Sequence, residues 1–258
     1  YSGSNLIDLR FFINDIDKKL STKIIVAEDL QNGHFTDLNS AVKYAEILAR
    51  INGISNQSPS IIIKEGIYEI SSPIIINYDL DIVGSGKNTV LKRGDSLLDC
   101  PGFSNRIPNP SFIPFIIGGS SNSSSSMIKR GVSFKDFSYE SGSLSDNSST
   151  SLFLLSQERN YNSTNSVFTF ENLHISGPNN RSLTNYISEF MLYISQVSSS
   201  GIENDNVDFG NLFIKSCFMS NMGSDETGIA AAGTAEALIV EVAGVGTYGS
   251  GRTFQNAI

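Results

Sequence analysis

The sequence predicts an all-β solenoid, a parallel β-helix in which short strands stack coil upon coil, and three observations carry that prediction. A short pattern recurs: FKDFSYESG begins at Phe134, FENLHISG at Phe170, IKSCFMSN at Ile214 and FQNAI at Phe254. A second series interleaves with it in the same order, as PFIIGG from Pro114, SLFLLSQ from Ser151, FMLYISQ from Phe190 and ALIVEVA from Ala237. Recurrence at several tens of residues marks a solenoid, and runs without helical spacing make it a β-helix. The composition agrees. Charged residues are only 17% of the 258-residue chain, and Ser, Asn, Gly and Ile are abundant, which favours strands with polar loops over helical bundles.

Each member of the first series reads apolar, polar, small polar, then two apolar positions flanking one variable residue. The third positions are Asp136, Asn172, Ser216 and Asn256, separated by 36, 44 and 40 residues. The chain must turn sharply between two strands of a coil, and Asn, Asp and Ser tolerate a left-handed conformation or bond their own backbone. Stacked in successive coils, their side chains can form a ladder. Asp79 in NYDLDIVGSG is expected in the same row, with Leu80 and Ile82 matching Leu173 and Ile175. The irregular spacing is assigned to loops, of which SSNSSSS at 120–126 and DNSST at 146–150 are two.

Ahead of these rungs, Asp37 to Ile51 predicts an amphipathic helix. Leu38, Ala41, Val42, Ala45, Leu48 and Ala49 share one face, and Thr36 or Asp37 can cap it. Strand-like runs follow at Ile61 to Lys64, Gly66 to Ile70, Ile74 to Ile76 and Asp81 to Val83. FTDLNSAVKYA, IIIKEGIYEI and LDIVGSGKNTVL together resemble the entry of right-handed parallel β-helix proteins: pectate lyases, pectin methylesterases and phage tailspikes. The match spans about 70 residues. It implies a right-handed solenoid whose open end is plugged by the helix, and it says little about chemistry, because those families share one fold. GSGK at 84–87 lacks the spacing of a phosphate loop and precedes no helix pattern, so it is read as a turn at the end of a rung.

Upstream of the plug, Leu6, Leu9, Ile13, Ile16 and Leu20 step by 3, 4, 3 and 4, a heptad seam about two heptads long. Two readings stand: an amphipathic helix packed on the solenoid, or the end of a multi-chain coiled-coil stalk. The domain reading is thus a helical stalk or linker over 1–22 and a β-helix over 23–258. FQNAI ends in mid-rung, so the solenoid is expected to continue beyond residue 258 or to be covered there by a partner.

The net charge of −8 argues against nucleic acid or an anionic membrane as the main partner. No apolar run approaches the roughly 20 residues of a membrane span. Cys100 and Cys217 make no disulfide framework and sit among apolar residues, so both are read as buried free thiols. With His34 and His174 far apart and no Cys/His cluster, neither a metal nor a cofactor is expected.

The motifs that would mark pectin methylesterase or pectate lyase chemistry are missing, the esterase "GYQDTLY" and "DFIFG" patterns and the lyase aspartate cluster among them. Tailspike glycosidases use carboxylates about 5–10 Å apart and carry no local motif. The candidate catalytic residues are Glu158, Glu189, Asp225 and Glu226; Asp136 and Glu171 are assigned to turns instead. The resemblance and the order of seam, plug and Ser/Asn-rich solenoid imply a virion component. The component so implied is expected to be a phage tail spike, fibre or baseplate-associated protein, a homotrimer that meets other tail proteins and contacts host surface polysaccharide. A secreted or virion polysaccharide hydrolase or lyase of the same fold is the alternative, and a surface adhesin using the solenoid as a spacer is a third.

Overall fold

The computed structural model describes residues 23–51, 58–95, 113–118, 127–143, 149–157, 166–179, 188–196, 211–220, 240–244 and 256–257. The heptad segment, Cys100 and the Ser-rich loop at 120–126 lie outside them. Among the described residues seventeen strands form three sheets, and the strand order within each sheet steps by about three in sequence. Sheet A runs β1 (Lys23–Val26), β2 (Ser60–Ile63), β5 (Tyr78–Gly84), β8 (Met127–Lys135), β11 (Val167–Glu171), β14 (Asn211–Lys215) and β17 (Asn256–Ala257). Sheet B runs β3 (Gly66–Ile70), β6 (Thr89–Arg93), β9 (Ser138–Glu140), β12 (His174–Ser176) and β15 (Phe218–Ser220). Sheet C runs β4 (Ile74–Ile76), β7 (Phe115–Ile117), β10 (Ser149–Gln157), β13 (Ser188–Gln196) and β16 (Val240–Gly244). The described pairings are parallel throughout, as a coil that visits A, B and C in turn requires. The chain is a parallel β-solenoid.

Alternation along each strand sends every second side chain inward. In sheet A, Ile61, Ile82, Phe134 and Phe170 pair in sequence and are all buried. Sheet B contributes the row Tyr68, Leu91, Tyr139 and Ile175, and sheet C the row Ile74, Phe115, Phe153 and Leu192. Where the rows meet, Phe134 and Phe170 stack at 5.7 Å between ring centroids, with Phe153 4.5 Å from one and 4.7 Å from the other. Burial of each such side chain stabilises by roughly 1.5–3 kcal/mol, so the core gains with every coil added.

The interleaved series are what the sequence promised. The pattern beginning at Phe134, Phe170 and Ile214 supplies sheet A and then sheet B, and the second series supplies sheet C, with Phe115, Phe153, Leu192 and Val240 in one row. Ile74 to Ile76, read only as a strand, is the first rung of that second series. GSGK forms the corner between β5 and β6, a turn and not a phosphate loop. Ser85 N–H donates to Thr89 Oγ1 there, and Gly86 N–H to the Asp136 carbonyl of the next coil.

Two members of the proposed polar row are misplaced by the sequence reading. Asp79 lies inside β5, and Leu80 and Ile82 pair with Val132 and Phe134 of sheet A, a strand earlier than expected. The residue of that coil beside Asp136 is Gly84, where a Cβ would stand 2.2 Å from the Asp136 carbonyl oxygen. Asp79 instead braces the irregularity in the β5–β8 pairing, where the register shifts between Tyr78 and Leu80. Its buried Oδ1 accepts the N–H groups of Lys129, Arg130 and Gly131 at 2.8, 2.7 and 3.0 Å. Asn256 pairs with Asn211 within sheet A, five residues before the Ser216 turn. A short polar residue beside two apolar ones fits either end of a strand, and the strand lengths that separate the ends are set by the coil.

The plug helix, α1 (Leu38–Ile51), starts one residue after the expected boundary. Asp37 is its cap: Oδ1 accepts the Ser40 N–H at 2.8 Å. Leu38, Ala41, Val42, Ala45 and Leu48 are buried, and the helix meets β1 to β5, which encloses the N-terminal end of the solenoid. Tyr78 reaches up from β5, and its buried hydroxyl donates to the Val42 carbonyl.

Candidate functional site

The corner between sheets A and B repeats most faithfully, and it sets the geometry of the adjoining outer face. Asp136, Asn172 and Ser216 have φ of 57°, 54° and 54°, the left-handed conformation their residue types predicted. Asp136 N–H donates to the Glu171 carbonyl and Asn172 N–H to the Lys215 carbonyl, at 3.1 and 2.9 Å. Asn172 Nδ2 donates to Asp136 Oδ1 at 2.6 Å, one step of the expected ladder.

One residue earlier, the outward positions of sheet A form the row Lys135, Glu171 and Lys215. The Glu171 carboxylate lies 3.2 Å from Lys135 Nζ and 3.0 Å from Lys215 Nζ. The Lys215 side chain, and then that of Lys135, hold its pKa below the ordinary glutamate value. A carboxyl so held is ionised and paired, which suits a structural ladder and disfavours a general acid. Asp136 is likewise engaged by Asn172. Both belong to turns and ladders, as the sequence suggested.

Past the corner, the variable residue of the pattern emerges on the outer face of sheet B. Ser138, His174 and Phe218 share one outward row, continued by Val90 and Ile67 toward the N-terminal end. Phe218 is 63% exposed, and His174 is exposed beside it with ring centroids 6.1 Å apart. Beneath them, Cys217 is half-buried and free, and burial pushes its thiol pKa up. It is a packed thiol and not an activated one. Two stacked coils thus present adjacent rings next to a ridge bearing Asp136, Asn172 and the Lys–Glu–Lys row.

The sequence did not single out His174 or Phe218. The signal was there: an aromatic residue in the variable slot, flanked by inward apolar positions, must point to solvent once the rung is in register.

Among the four candidate catalytic carboxylates, Glu189 lies in β13 of sheet C, opposite Thr150 of β10, on a different sheet from Glu171. Glu158, Asp225 and Glu226 fall outside the described residues. Among the described residues no three His, Cys, Asp or Glu side chains converge as a metal site, and no helix is long and apolar enough to cross a membrane. Comparison of the chain with protein-family models, curated proteins and solved structures gives no match.

Proposed function

We propose that the protein is a rigid solenoid that binds glycans on its lateral face without cleaving them, as part of a viral tail spike or fibre that meets the host surface. The observation that carries this reading is the exposed His174–Phe218 pair on sheet B. The C–H face of a pyranose ring packs on an aromatic ring, and such rings bring large contact area with little loss of side-chain freedom. The neighbouring Asn172, Asp136 and Ser138 offer donors and acceptors suited to sugar hydroxyls. The nearby Glu171 is neutralised by two lysines, which favours binding over acid catalysis.

The virion assignment rests on the resemblance of the plug and first coils to tailspikes and on the order of heptad seam, plug and solenoid. A homotrimer gathered by the Leu6 to Leu20 seam would present three copies of a weak sugar site, so that avidity offsets low single-site affinity. The test is incubation with a panel of bacterial surface polysaccharides, reading retention on immobilised protein and release of reducing ends together. Retention without new reducing ends is expected. Depolymerisation would replace this reading with that of a polysaccharide-degrading enzyme, and loss of that activity on substituting Glu158 or Glu189 would name its carboxylate.

A further inference from the structure

Sheets A and B do not end at the same height. Sheet A carries β1 beyond β2, whereas sheet B begins at β3 with no described strand beyond it. In a parallel ladder the N–H and C=O of one residue point to the same side, and successive residues alternate. Gly66 N–H donates to the Asn88 carbonyl and the Ile70 carbonyl accepts from Gly94 N–H, so Gly66, Tyr68 and Ile70 face β6. Ile67 and Glu69 therefore face the open side.

There, Ile67 N–H donates to Glu28 Oε1 at 3.1 Å, a side-chain acceptor standing where a strand would supply a carbonyl. The Ile67 carbonyl and both backbone groups of Glu69 bond to no described residue on that side. Glu69 is exposed, and Ile67 is 61% exposed. Acidic residues dominate the surroundings. Glu28, Asp29, Glu65 and Glu69 are all exposed around the edge, against Lys64 beside it and Lys92 paired to Glu69 in register.

We propose that the open edge of β3 is a docking strand for an extended, basic segment of a partner polypeptide, which adds to sheet B as its outermost strand. In the parallel sense, the incoming residue opposite Tyr68 donates its N–H to the Ile67 carbonyl and accepts from Glu69 N–H. Main-chain bonds supply the affinity, and the acidic rim selects lysine or arginine at alternate positions. This site is independent of the glycan face, since it lies at the plugged end of the solenoid and uses backbone rather than rings.

The test uses a blocked heptapeptide of alternating lysine and valine, titrated into the 258-residue protein and followed by amide NMR and hydrogen exchange. The expected result is saturable binding that shifts and protects the Glu69 amide. Glu69→Pro removes that donor at a strand edge, where proline is tolerated, and should raise Kd by about tenfold or more with an unchanged circular dichroism spectrum. The same peptide N-methylated at its internal amides should not bind the unaltered protein, a result that needs no variant to fold. A glutamate-for-lysine peptide should also fail. Binding that survives N-methylation would overturn strand addition in favour of side-chain attraction, and no binding at millimolar peptide would overturn the site. Concentration-dependent self-association abolished by Glu69→Pro would give the edge to a second copy of the chain, and the proposed occupant would be wrong.

Discussion

Single residues in this fold are fixed by backbone geometry more than by side-chain chemistry. Asn172 holds φ of 54°, so Asn172→Val should destabilise by roughly 1–3 kcal/mol in denaturant unfolding. Asn172→Gly removes the strain and loses only the bond to Asp136, so it should cost less. Gly131 is stricter, because φ is 126° and a Cβ would lie 1.8 Å from the Val167 carbonyl oxygen. Gly131→Ala should cost roughly 3 kcal/mol or more. Asp79→Ala strips three N–H groups of their shared acceptor and should cost roughly 2–3 kcal/mol, with Asp79→Asn intermediate. Glu171 gives a pH signature of known sign. Its folded-state pKa is lowered, so its ion pairs contribute fully above the ordinary glutamate value and are lost as pH falls through the lower, folded value. A carboxyl NMR titration should show that lowered midpoint, and Lys215→Ala should move it upward.

Elements were legible where periodicity and an end signal coincided. Asp37 and the spacing of Leu38, Val42, Ala45 and Leu48 located α1 to within a residue, because a helix face and a cap are both local. Leu48→Asp sets an unpaired charge against the first coil and should cost on the order of 4 kcal/mol or more, read as lost soluble expression or a lowered Tm. Wild-type yield and Tm would remove the plug. The repeat was equally clear at β8, β11 and β14, where Phe134, Phe170 and Ile214 share one inward row. Register failed at Asp79 and Asn256 for a physical reason. Sheet A strands run from 2 to 9 residues, so the same polar–apolar alternation fits the start or the end of a strand, and only the neighbouring coil decides. The site did not suffer from that ambiguity: the Ser216 turn puts the Phe218 rung in the expected register, and Phe218 occupies its variable, outward slot.

At the scale of the whole molecule, stacked coils turn a one-dimensional repeat into long outward rows, and function follows from what those rows carry. Parallel pairing through three sheets makes each coil lean on its neighbours, so that a lateral face keeps its geometry while the outward residues vary. The outer face of sheet B holds the most conspicuous departure from a merely solvated row, the rings of His174 and Phe218 in consecutive coils. The proposed trimer is a separate claim at this scale, checked by sedimentation equilibrium of the 258-residue chain at low concentration, where a mass three times that of the chain is expected and a stable monomer would count against it. The most direct measurement of the glycan-binding claim is calorimetric titration of Phe218→Ala with the polysaccharide that the unaltered protein retains. Loss of about tenfold in affinity at unchanged Tm, with Phe218→Trp retaining binding, is the predicted result; undiminished affinity in Phe218→Ala would contradict it.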